Sequence, residues 1–575
     1  MAVTEDSKLK NLTPGTLAEI LRYRADIEEM KKEISKVTSG EVSEDDFRKY
    51  RLQRGIYGQK QKPNIQMIRV KVPWGRATAE QLETLADVAD RFPGGDRKGI
   101  AHVTTRQAIQ YHFVDLPKVP EAMSMLADAG LTTREACSNM VRNVTADALA
   151  GVAQDELFDI TPHAEAGVRF FLRHPVCQDL PRKFKIAFSG SSADRGLVFM
   201  HDVGLLASIK KEGGKDVQGF NLFVGGGLGP TPKMAHLFED FTPANDILRT
   251  IHAILVVFDR DWDYGRKNRN MARIKFLVEK LGFDEFKKRV LVEKDKLKGE
   301  RYPEIAPLKE VPPSSALGPL LAEDSNPQFL RWKETNVAAQ KQPGYSSVNI
   351  RLPLGDIRSN QLRELANLVR QYGNGTVRTA VDQNLMVHWI KNEALYTFYV
   401  KLSQVALTLP SAGRLADITS CPGADACQLG ITSSRGLATA IGRIFENGHK
   451  GDADLKDLKI KISGCPNSCG QHHIADIGFY GGAKAVGAHQ VPTYSMLLGG
   501  NFTGGQAAYG KHFLRVPAKK VPDVVSKLLD IYKARKNAGE KFSGFVQRTG
   551  FEALKKELEP LAVLPESPAA DVVSD

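Results

Sequence analysis

The sequence lacks any apolar run long enough to cross a membrane. Its longest runs, such as AILVVF at 253–258, are far shorter than the ~20 residues of a transmembrane helix. The opening segment, MAVTEDSKLKNL, also lacks the apolar stretch of a secretory signal. Apolar residues make up 42% and charged residues 25% of the 575, as in ordinary globular proteins. We therefore expect a cytoplasmic protein of two to four domains with no membrane association.

No part of the chain concentrates its charge. The 79 Lys and Arg residues exceed the 67 Asp and Glu residues, which gives a net charge of +12, and they are spread along the sequence. Nucleic acid, an anionic membrane surface, or acidic proteins and small anions could each explain this charge, as could a generally basic protein. No nucleic-acid-binding motif is present. We therefore favour small anions and an acidic protein partner.

Cysteine is scarce, but four of the 6 cysteines lie close together in the sequence. They form two pairs, in CPGADAC at 421–427 and CPNSC at 465–469. A cluster of this kind in a chain without a secretory signal favours a metal centre over disulfides. Structural zinc sites prefer short C-x₂₋₄-C pairs, which only the second pair matches, whereas iron–sulfur clusters accept more varied spacing. The spacing favours an iron–sulfur cluster, with zinc as the alternative.

The residues around these cysteines carry a family resemblance. The segments CPGADACQLG and KISGCPNSCGQHHIADIGFYGG closely resemble the sirohaem- and [4Fe–4S]-containing sulfite and nitrite reductases, and the resemblance extends from about residue 50 to 555. It implies sirohaem and a [4Fe–4S] cluster as cofactors. It also implies that the last cysteine bridges the cluster to the sirohaem iron. The cluster ligands it implies are Cys421, Cys427, Cys465 and Cys469.

The chain repeats itself at an offset of about 275 residues. Five segments match in the same order, which chance does not explain. Gln107 stands opposite Gln383, and His112 stands opposite His388. The matched segments are IRVKVPWGRATAEQLETLA (68–86) with VNIRLPLGDIRSNQLRELA (348–366), TRQAIQYHF with DQNLMVHW, FKIAFSG with LKIKISG, FNLFVGGGLG with YSMLLGGNFT, and LGFDEFKK with TGFEALKK.

Each copy has the pattern of a strand, a helix, a second strand and a larger mixed region. MIRVKV alternates as a strand does, and ATAEQLETLADVADRF has helical spacing after Thr78, a plausible N-cap. This pattern predicts an α+β protein with two equivalent halves. The resemblance implies the same picture: two ferredoxin-like lobes in one domain, and two larger α/β lobes that hold the cofactors.

The predicted domains follow the duplication. Residues 16–38 have the pattern of an amphipathic helix, and 300–345 contain YPEIAP, EVPPSS and QKQPGY, as in a Pro-rich linker. The expected boundaries are an N-terminal helical segment at 1–55, a ferredoxin-like half-domain at 56–130, a sirohaem- and substrate-binding domain at 131–300, the linker at 301–345, a second half-domain at 346–410, a cluster- and sirohaem-binding domain at 411–557, and a disordered tail at 558–575.

The two copies differ in chemistry. All four clustered cysteines lie in the second copy, and the first copy has SSADR at 191–195 opposite CPNSC. Arg106 stands opposite Asp382. One half therefore is expected to hold the cluster while the other holds basic residues.

Basic residues of the first half suit an anionic substrate and an anionic cofactor. Arg binds oxyanions through two parallel contacts, and Lys can also relay protons. Taken singly, each of these residues could equally be a solvated surface side chain. The resemblance assigns oxyanion binding to Arg69, Arg142, Lys183 and Lys185. It assigns contacts with the macrocycle and its carboxylates to Thr104, Arg106, Gln107, Gln110 and Arg182.

Two further motifs have alternative interpretations. VGGGLG at 224–229 could cradle a carboxylate through its backbone N–H groups, or it could be a tight strand-to-helix turn. The resemblance favours cofactor contacts by Gly225, Gly226 and Gly227. His472 and His473 are expected to have a supporting role, and Cys137 and Cys177 are expected to be plain buried thiols.

The pair Lys183 and Lys185 bears on the substrate. Sulfite reductases of this family generally have Lys at the second position, whereas ferredoxin nitrite reductases often have Asn. The resemblance therefore favours reduction of sulfite to sulfide over reduction of nitrite to ammonia. A non-enzymatic iron–sulfur or zinc protein is a third hypothesis. No nucleotide-binding domain is visible, so electrons are expected from ferredoxin or another acidic donor, or from a separate flavoprotein subunit. We expect a monomer.

Overall fold

The computed structural model describes residues 14–59, 64–308, 310, 312, 319–447, 455–487, 489–503 and 506–564. Two helices precede the first copy, α1 (Pro14–Ser39) and α2 (Glu44–Gln53). Apolar residues of α1, including Tyr23, Ile27 and Met30, are buried in the core of the half-domains. The predicted helix at 16–38 is therefore confirmed, while residues 1–13 of the predicted N-terminal segment lie outside the described residues.

The first half-domain follows these helices. Thr78 caps its longer helix: the Thr78 hydroxyl accepts from Gln81 N at 3.3 Å, and the Gln81 side chain accepts from Thr78 N at 3.0 Å. This reciprocal pair satisfies two donors at the helix start and confirms the predicted cap. The elements are β1 (Ile56–Gly58), β2 (Ile65–Val70), β3 (Arg76–Thr78), α3 (Ala79–Arg91), β4 (Ile100–Val103), β5 (Ile109–Asp115) and α4 (Val119–Asp128).

The first large lobe is a five-stranded mixed sheet covered by helices. Its strand order is β10-β9-β8-β7-β6. Strands β6, β7 and β8 are parallel to one another, whereas β9 pairs antiparallel with both β8 and β10. The elements are β6 (Thr145–Ala146), α5 (Thr161–Phe171), β7 (Ile186–Ser189), β8 (Val203–Glu212), β9 (Lys215–Val224), β10 (His236–Pro243), α6 (Ile247–Asp261), α7 (Asp263–Lys267), α8 (Ile274–Leu281) and α9 (Phe283–Lys296).

The second copy repeats this order of elements. It begins with α10 (Pro327–Asn336) and then forms the second half-domain. That half-domain consists of β11 (Val337–Ala339), β12 (Tyr345–Ile350), β13 (Asp356–Arg358), α11 (Ser359–Tyr372), β14 (Thr376–Thr379), β15 (Leu385–Lys391) and α12 (Leu395–Ser403).

The second large lobe has the sheet order β16-β17-β18-β19-β22 and an added hairpin, β20-β21. Its elements are β16 (Thr419–Ser420), α13 (Ser434–Asn447), β17 (Ile460–Ser463), β18 (Ile477–Val486), β19 (His489–Leu498), β20 (Asn501–Thr503), β21 (Gln506–Ala508), β22 (Lys511–Pro517), α14 (Val521–Arg535), α15 (Phe542–Thr549) and α16 (Phe551–Leu558).

The half-domains exchange one strand each. Strand β13 of the second copy pairs with β4 of the first, and β3 of the first pairs with β14 of the second. Buried residues of both copies then form one continuous apolar core. The structure confirms the predicted α+β class, the internal duplication and the joining of two ferredoxin-like lobes into one domain.

Two segments that were predicted to be a linker and a disordered tail contain folded elements. The expected linker at 301–345 includes α10 and β11, because Phe329 and Trp332 of α10 are fully buried in the half-domain core. The expected tail from 558 begins with a short turn at Glu559–Ala562, where Ala562 is buried; residues 565–575 lie outside the described residues. No helix among the described residues has the length and apolar character needed to cross a membrane.

Candidate cofactor and oxyanion site

The four clustered cysteines converge on one place in the second large lobe. Cys421 directly follows β16, and Cys465 follows β17 after a single residue, Gly464. The two loops pack tightly, since a side chain on Gly464 would meet the Gly423 Cα atom at 2.7 Å. Burial raises the pKa values of Cys421, Cys427 and Cys465, and the Cys469 thiol, an electrostatic neighbour of all three, raises them further. The sequence-predicted ligands are thus brought together.

Hydrogen-bond donors surround these sulfur atoms. Gly464 N donates to Cys421 Sγ at 3.2 Å, and Asn467 Nδ2 donates to Cys465 Sγ at 3.5 Å. The Ser434 hydroxyl lies 3.4 Å from Cys421 Sγ. Donors aimed at sulfur stabilise thiolates and are typical of iron–sulfur sites.

The four thiols differ in exposure. Cys465 is buried, Cys421 and Cys427 are half-buried, and Cys469 is exposed. Burial raises the pKa of Cys421 to about 12, so its thiolate needs the positive charge of a bound metal. Among the described residues, no three His, Cys, Asp or Glu side chains are grouped to hold a single metal ion.

Cys469 also borders the basic residues of the first half. Its thiol is an electrostatic neighbour of Lys183 and Arg142. The Thr105 hydroxyl donates to the Cys469 carbonyl oxygen at 2.9 Å and so ties the first copy to this ligand. Sequence reasoning missed Thr105, because nothing in the sequence pairs the turn after β4 with CPNSC.

Arg69 and Arg142 lie side by side. Each donates to the Ala136 carbonyl oxygen, from Nη1 at 3.3 Å for Arg69 and 2.7 Å for Arg142. With its amide oxygen towards Arg69, Gln110 accepts from Arg69 Nε at 2.8 Å. Burial lowers the pKa of Arg142 to about 10, with the neighbouring charges of Arg69 and Arg182 adding to the effect.

Lys183 and Lys185 flank Phe184 just before β7. Phe184 is fully buried, and both lysines lie deep in the protein yet keep some exposure, so they face an internal cleft. Burial, together with the charges of Arg142, Arg273 and Arg182, lowers the pKa of Lys183 to about 7 against the opposing effect of Cys469. Burial together with Arg273 and Lys183 holds the pKa of Lys185 well below its ordinary value.

Arg106 and Arg182 complete the set of predicted cations. Arg106 Nη2 donates to the Asn143 carbonyl oxygen at 2.6 Å, Nη1 contacts His201, and the buried Nε atom has no hydrogen-bond partner among the described residues. Burial lowers the pKa of Arg106 to about 9 and that of Arg182 to about 10. Both side chains retain partial exposure.

Six of these cations share one feature in the part of the chain that the structure describes. Within the described part of the chain, none of them forms an ion pair with a carboxylate; they are Arg69, Arg106, Arg142, Arg182, Lys183 and Lys185. The buried carboxylate of Asp202 acts electrostatically on Arg106 and Lys185, but Arg273 Nη2 already engages it at 2.8 Å. Crowded cations in a partly dehydrated cleft require anions for stability. A carboxylate-bearing macrocycle and an oxyanion therefore fit this cleft.

Other predicted contacts have local roles in the structure. The Thr104 hydroxyl accepts from Arg106 N at 3.2 Å and Ala108 N at 3.1 Å, and so shapes the turn that carries Arg106. Gln107 is fully buried, and its amide nitrogen donates to the carbonyl oxygens of Ala146 and Thr379 at 3.0 and 2.6 Å. The proposed macrocycle contacts of Thr104 and Gln107 remain predictions.

The glycine loop lies against the same cleft. A side chain on Gly226 would meet the His201 carbonyl oxygen at 2.5 Å, and one on Gly227 would meet Arg273 at 3.0 Å. Gly225 has φ of 88°, which suits glycine. Glycine is needed at position 226 because the neighbouring backbone leaves no room for a side chain, as the tight-turn interpretation predicts. Gly227 borders the cations.

Arg273 and Asp202 belong to the site although the sequence did not single them out. Arg273 precedes α8, and its Nε and Nη2 atoms both donate to Asp202, whose carboxylate also accepts from Lys185 N at 2.9 Å. The signal was the alternation of Arg273 and Lys275 in MARIKF, which resembles that of Lys183 and Lys185.

The remaining singled-out residues have other partners. His473 Nε2 donates to the Gly229 carbonyl oxygen at 3.0 Å, which joins the two large lobes, and the His472 Nδ1 atom lies 2.9 Å from the Ser463 hydroxyl. His102, on β4, pairs with Asp356 through Nδ1 at 2.9 Å. Cys137 and Cys177 are buried.

Comparisons with known proteins agree with this description. A family model described as nitrite and sulphite reductase 4Fe-4S domain matches residues 137–298 and 411–563. A second, nitrite/sulfite reductase ferredoxin-like half domain, matches 57–129 and 338–403. The matches fall on the large lobes and the half-domains, once in each copy.

Several relatives resemble the chain over most of its length. A chloroplastic ferredoxin–nitrite reductase of Oryza sativa subsp. japonica is 30% identical and covers 79% of this chain and 72% of its own. A sulfite reductase [ferredoxin] of Mycobacterium tuberculosis (strain ATCC 25618 / H37Rv) is 28% identical and covers 85% and 83%. The solved structure of the M. tuberculosis NirA protein matches with a TM-score of 0.74 at 26% identity, over 92% of this chain and 97% of that one.

Fold and site define an iron–sulfur oxidoreductase whose cluster thiols border a cleft for anions. The chain belongs to the nitrite and sulfite reductase family. Its cofactors are sirohaem and a [4Fe–4S] cluster, and it acts on sulfite or nitrite. The non-enzymatic iron–sulfur or zinc hypothesis is therefore wrong.

Proposed function

We propose that this protein is a ferredoxin-dependent sulfite reductase that reduces sulfite to sulfide with six electrons. The observation that carries the proposal is the pair of lysines, Lys183 and Lys185, whose side chains share one cleft beside Cys469. Sulfite carries more negative charge than nitrite, so it gains more from a second ammonium group.

The proposed division of labour follows the contacts described above. Cys421, Cys427, Cys465 and Cys469 would hold the cluster, and Cys469 would also bridge to the sirohaem iron. The two cofactors, when bound, supply the electrons one at a time. Arg69, Arg142, Lys183 and Lys185 would grip the oxyanion. Contacts to the macrocycle and its carboxylates would come from Thr104, Arg106, Gln107, Gln110, Arg182, Gly225, Gly226 and Gly227.

The lysines also suit the proton demand of the reaction. Reduction of an oxyanion to sulfide releases its oxygen atoms as water and consumes several protons. An anion bound beside Lys183 raises the lysine pKa, so the amine takes up a proton as the substrate enters. With a pKa of about 7 in the free cleft, Lys183 Nζ can then give that proton to a substrate oxygen at neutral pH.

Ferredoxin is the proposed donor. The relatives in rice and M. tuberculosis are named as ferredoxin enzymes, and the sequence contains no nucleotide-binding fingerprint. A net charge of +12 favours encounter with an acidic partner. A cytoplasmic location and a monomeric state are further parts of this proposal.

Nitrite reduction is the second candidate, and one observation favours it. Burial, Arg273 and Lys183 hold the pKa of Lys185 well below its ordinary value, so the cleft favours a single ammonium group over two. A single ammonium group suffices for the monoanion nitrite.

Product analysis tests the proposal. Anaerobically purified protein is reduced with methyl viologen and given either anion, and sulfide and ammonium are quantified. We expect one sulfide for each six electrons consumed with sulfite. Ammonium from nitrite with no sulfide from sulfite would overturn the proposal in favour of the second candidate.

A further inference from the structure

Asp356 lies at the centre of a buried ion cluster between the two copies. It is the first residue of β13, the strand that the second copy adds to the sheet of the first. Its carboxylate accepts from Arg97 at 2.9 and 3.0 Å and from His102 Nδ1 at 2.9 Å, and it contacts the Arg435 guanidinium. Burial raises the pKa of Asp356, but His102, Arg435 and Arg97 outweigh burial and hold it well below its ordinary value.

One arm of this cluster leads to Cys421 through α13. Arg435 is the second residue of the helix, directly after Ser434. The Ser434 hydroxyl donates to the Cys421 carbonyl oxygen at 2.7 Å and lies 3.4 Å from Cys421 Sγ. Asp356 therefore holds the helix end that carries a direct contact of this cysteine.

A second arm leads to the other side of Cys421. His102 donates from Nδ1 to Asp356, which leaves Nε2 as an acceptor 3.4 Å from Gln383 Nε2. Gln383 Nε2 also donates to Val103, and Gln383 Oε1 accepts from Ser420 N at 3.0 Å. Ser420 directly precedes Cys421, so both arms end beside the same thiol.

The duplication provides an internal comparison. Arg76 occupies the position of Asp356 in the first copy, and Arg378 occupies that of His102. No cysteine stands in the first copy opposite Cys465 or Cys469. The Asp356 carboxylate therefore lies in the half-domain sheet that adjoins the cysteine loops. In the other half-domain sheet, the cation of Arg76 stands in its place.

We propose that Asp356 is a positioning residue for the [4Fe–4S] cluster, acting on Cys421 through Arg435–Ser434 and through His102–Gln383–Ser420. The inference rests on the proposed ligand role of Cys421. Partners of metal ligands typically change metal affinity 10–100-fold when they are removed. The exchanged strand β13 thus lets the first half-domain fix a ligand that belongs to the second large lobe.

The test compares Asp356→Asn with the wild-type holoenzyme. We measure the rate of iron release to a chelator and the electron paramagnetic resonance spectrum of the reduced cluster. The expected result is roughly tenfold faster iron release and an altered spectrum in the variant. Asp356→Glu, which keeps the charge, should restore most of the wild-type behaviour.

A matched control separates positioning from stability. Asp26 likewise forms ion pairs with two arginines, Arg134 and Arg173, but it lies in α1, away from the cysteines. Asp26→Asn should leave the spectrum and the iron release unchanged. If Asp356→Asn fails to fold, Arg435→Gln cuts one arm alone and should show the same altered spectrum.

Different outcomes test the positioning role of Asp356 and the ligand role of Cys421. Wild-type rates and spectra in Asp356→Asn, or equal effects in Asp26→Asn, would overturn the positioning role while leaving the cluster in place. Retention of the cluster in the Cys421→Ser variant would instead refute the ligand assignment on which the inference rests.

Discussion

Cys469 is the residue at which the two kinds of chemistry meet. Its thiol neighbours three other thiols on one side and Lys183 and Arg142 on the other. It is also the exposed member of the four, so it faces the cleft in which the cations lie. This place suits the proposed role of Cys469 as the bridge between the cluster and the sirohaem.

Replacing Cys469 with Ser tests that assignment. A serine hydroxyl is a poor ligand for iron that prefers thiolate, so we expect loss of both the cluster and the sirohaem. Iron and acid-labile sulfide content and the haem absorption bands measure the effect. Cys177→Ser, at a fully buried thiol outside the cleft, is the control. Full retention of both cofactors in the Cys469 variant would refute the bridging role.

The depressed pKa of Lys183 predicts a pH dependence of activity. An amine with a pKa of about 7 is protonated below that pH and loses its charge above it. We expect kcat/KM for the oxyanion to fall as pH rises through this range, because binding charge and donatable proton are lost together.

Lys183→Arg is the diagnostic variant for this dependence. Arginine keeps its charge throughout, so the fall at high pH should move upward or disappear, although proton delivery at lower pH becomes slower. Lys210→Arg, at an exposed position on β8, should leave the profile unchanged. An identical alkaline limb in Lys183→Arg would show that another group causes it.

At the residue scale, the sequence predicted which residues carry the chemistry, but it did not predict which residues contact each other. The motifs identified the four thiols and the basic residues, because spacing and residue type are written in the chain. They did not identify Arg273 or Thr105, whose partners Asp202 and Cys469 lie 71 and 364 residues away in sequence. Gln107 matched Gln383 in sequence, but only the structure shows that both amides hold backbone groups.

At the element scale, the exchanged strands create an electrostatic problem that the linker resolves. Arg76 of β3 and Arg378 of β14 stand directly opposite each other, an arrangement of like charges that destabilises a strand pair. Arg378 is fully buried and stacks on Trp74 at 4.2 Å. The carboxylate of Glu310 contacts Arg378 and lies 3.7 Å from Arg76, so the linker supplies the missing anion.

Glu310→Gln should therefore destabilise the cofactor-free protein by about 3 kcal/mol, since it leaves a buried guanidinium without its counter-ion. Denaturant unfolding followed by tryptophan fluorescence measures the change, because Trp74 lies at the site. Glu304→Gln, at an exposed position in the same segment, provides the control. Equal stability of the two variants would show that the linker contact contributes nothing.

Local signals explain which elements could be predicted. The helix after Thr78 was predictable because its cap and its apolar spacing lie within one short segment. The helix α10 was missed because the prolines before it suggested a linker, while the burial of Phe329 and Trp332 depends on the distant half-domain core. The strand exchange has no sequence signal, since β3 and β13 have only three residues each.

For the whole molecule, duplication lets two copies of one fold specialise. The second copy carries the four thiols, and the first carries cations that have no carboxylate partner among the described residues. The order of sheets and helices is shared, so the sequence repeats predicted the architecture in outline. The first copy has SSADR where the second has CPNSC, and this difference in sequence alone indicates the asymmetry.

The net charge of +12 predicts a salt effect on electron delivery. Attraction to an acidic ferredoxin is screened by salt, with a Debye length of about 10 Å at 0.1 M. We expect kcat/KM for ferredoxin to fall several-fold between low salt and 0.3 M salt. The cationic donor methyl viologen is the control and should show no such fall. Equal salt responses with both donors would argue against electrostatic docking of ferredoxin.

The central claim is that the lysine pair makes this enzyme prefer sulfite. The most direct measurement is kcat/KM for sulfite and for nitrite, side by side with reduced ferredoxin, in the wild type and in Lys185→Asn. We predict a preference for sulfite in the wild type and a loss of about tenfold for sulfite in the variant, from one charge-assisted hydrogen bond, with a smaller loss for nitrite. A wild-type preference for nitrite, or equal losses for both anions, would contradict the account.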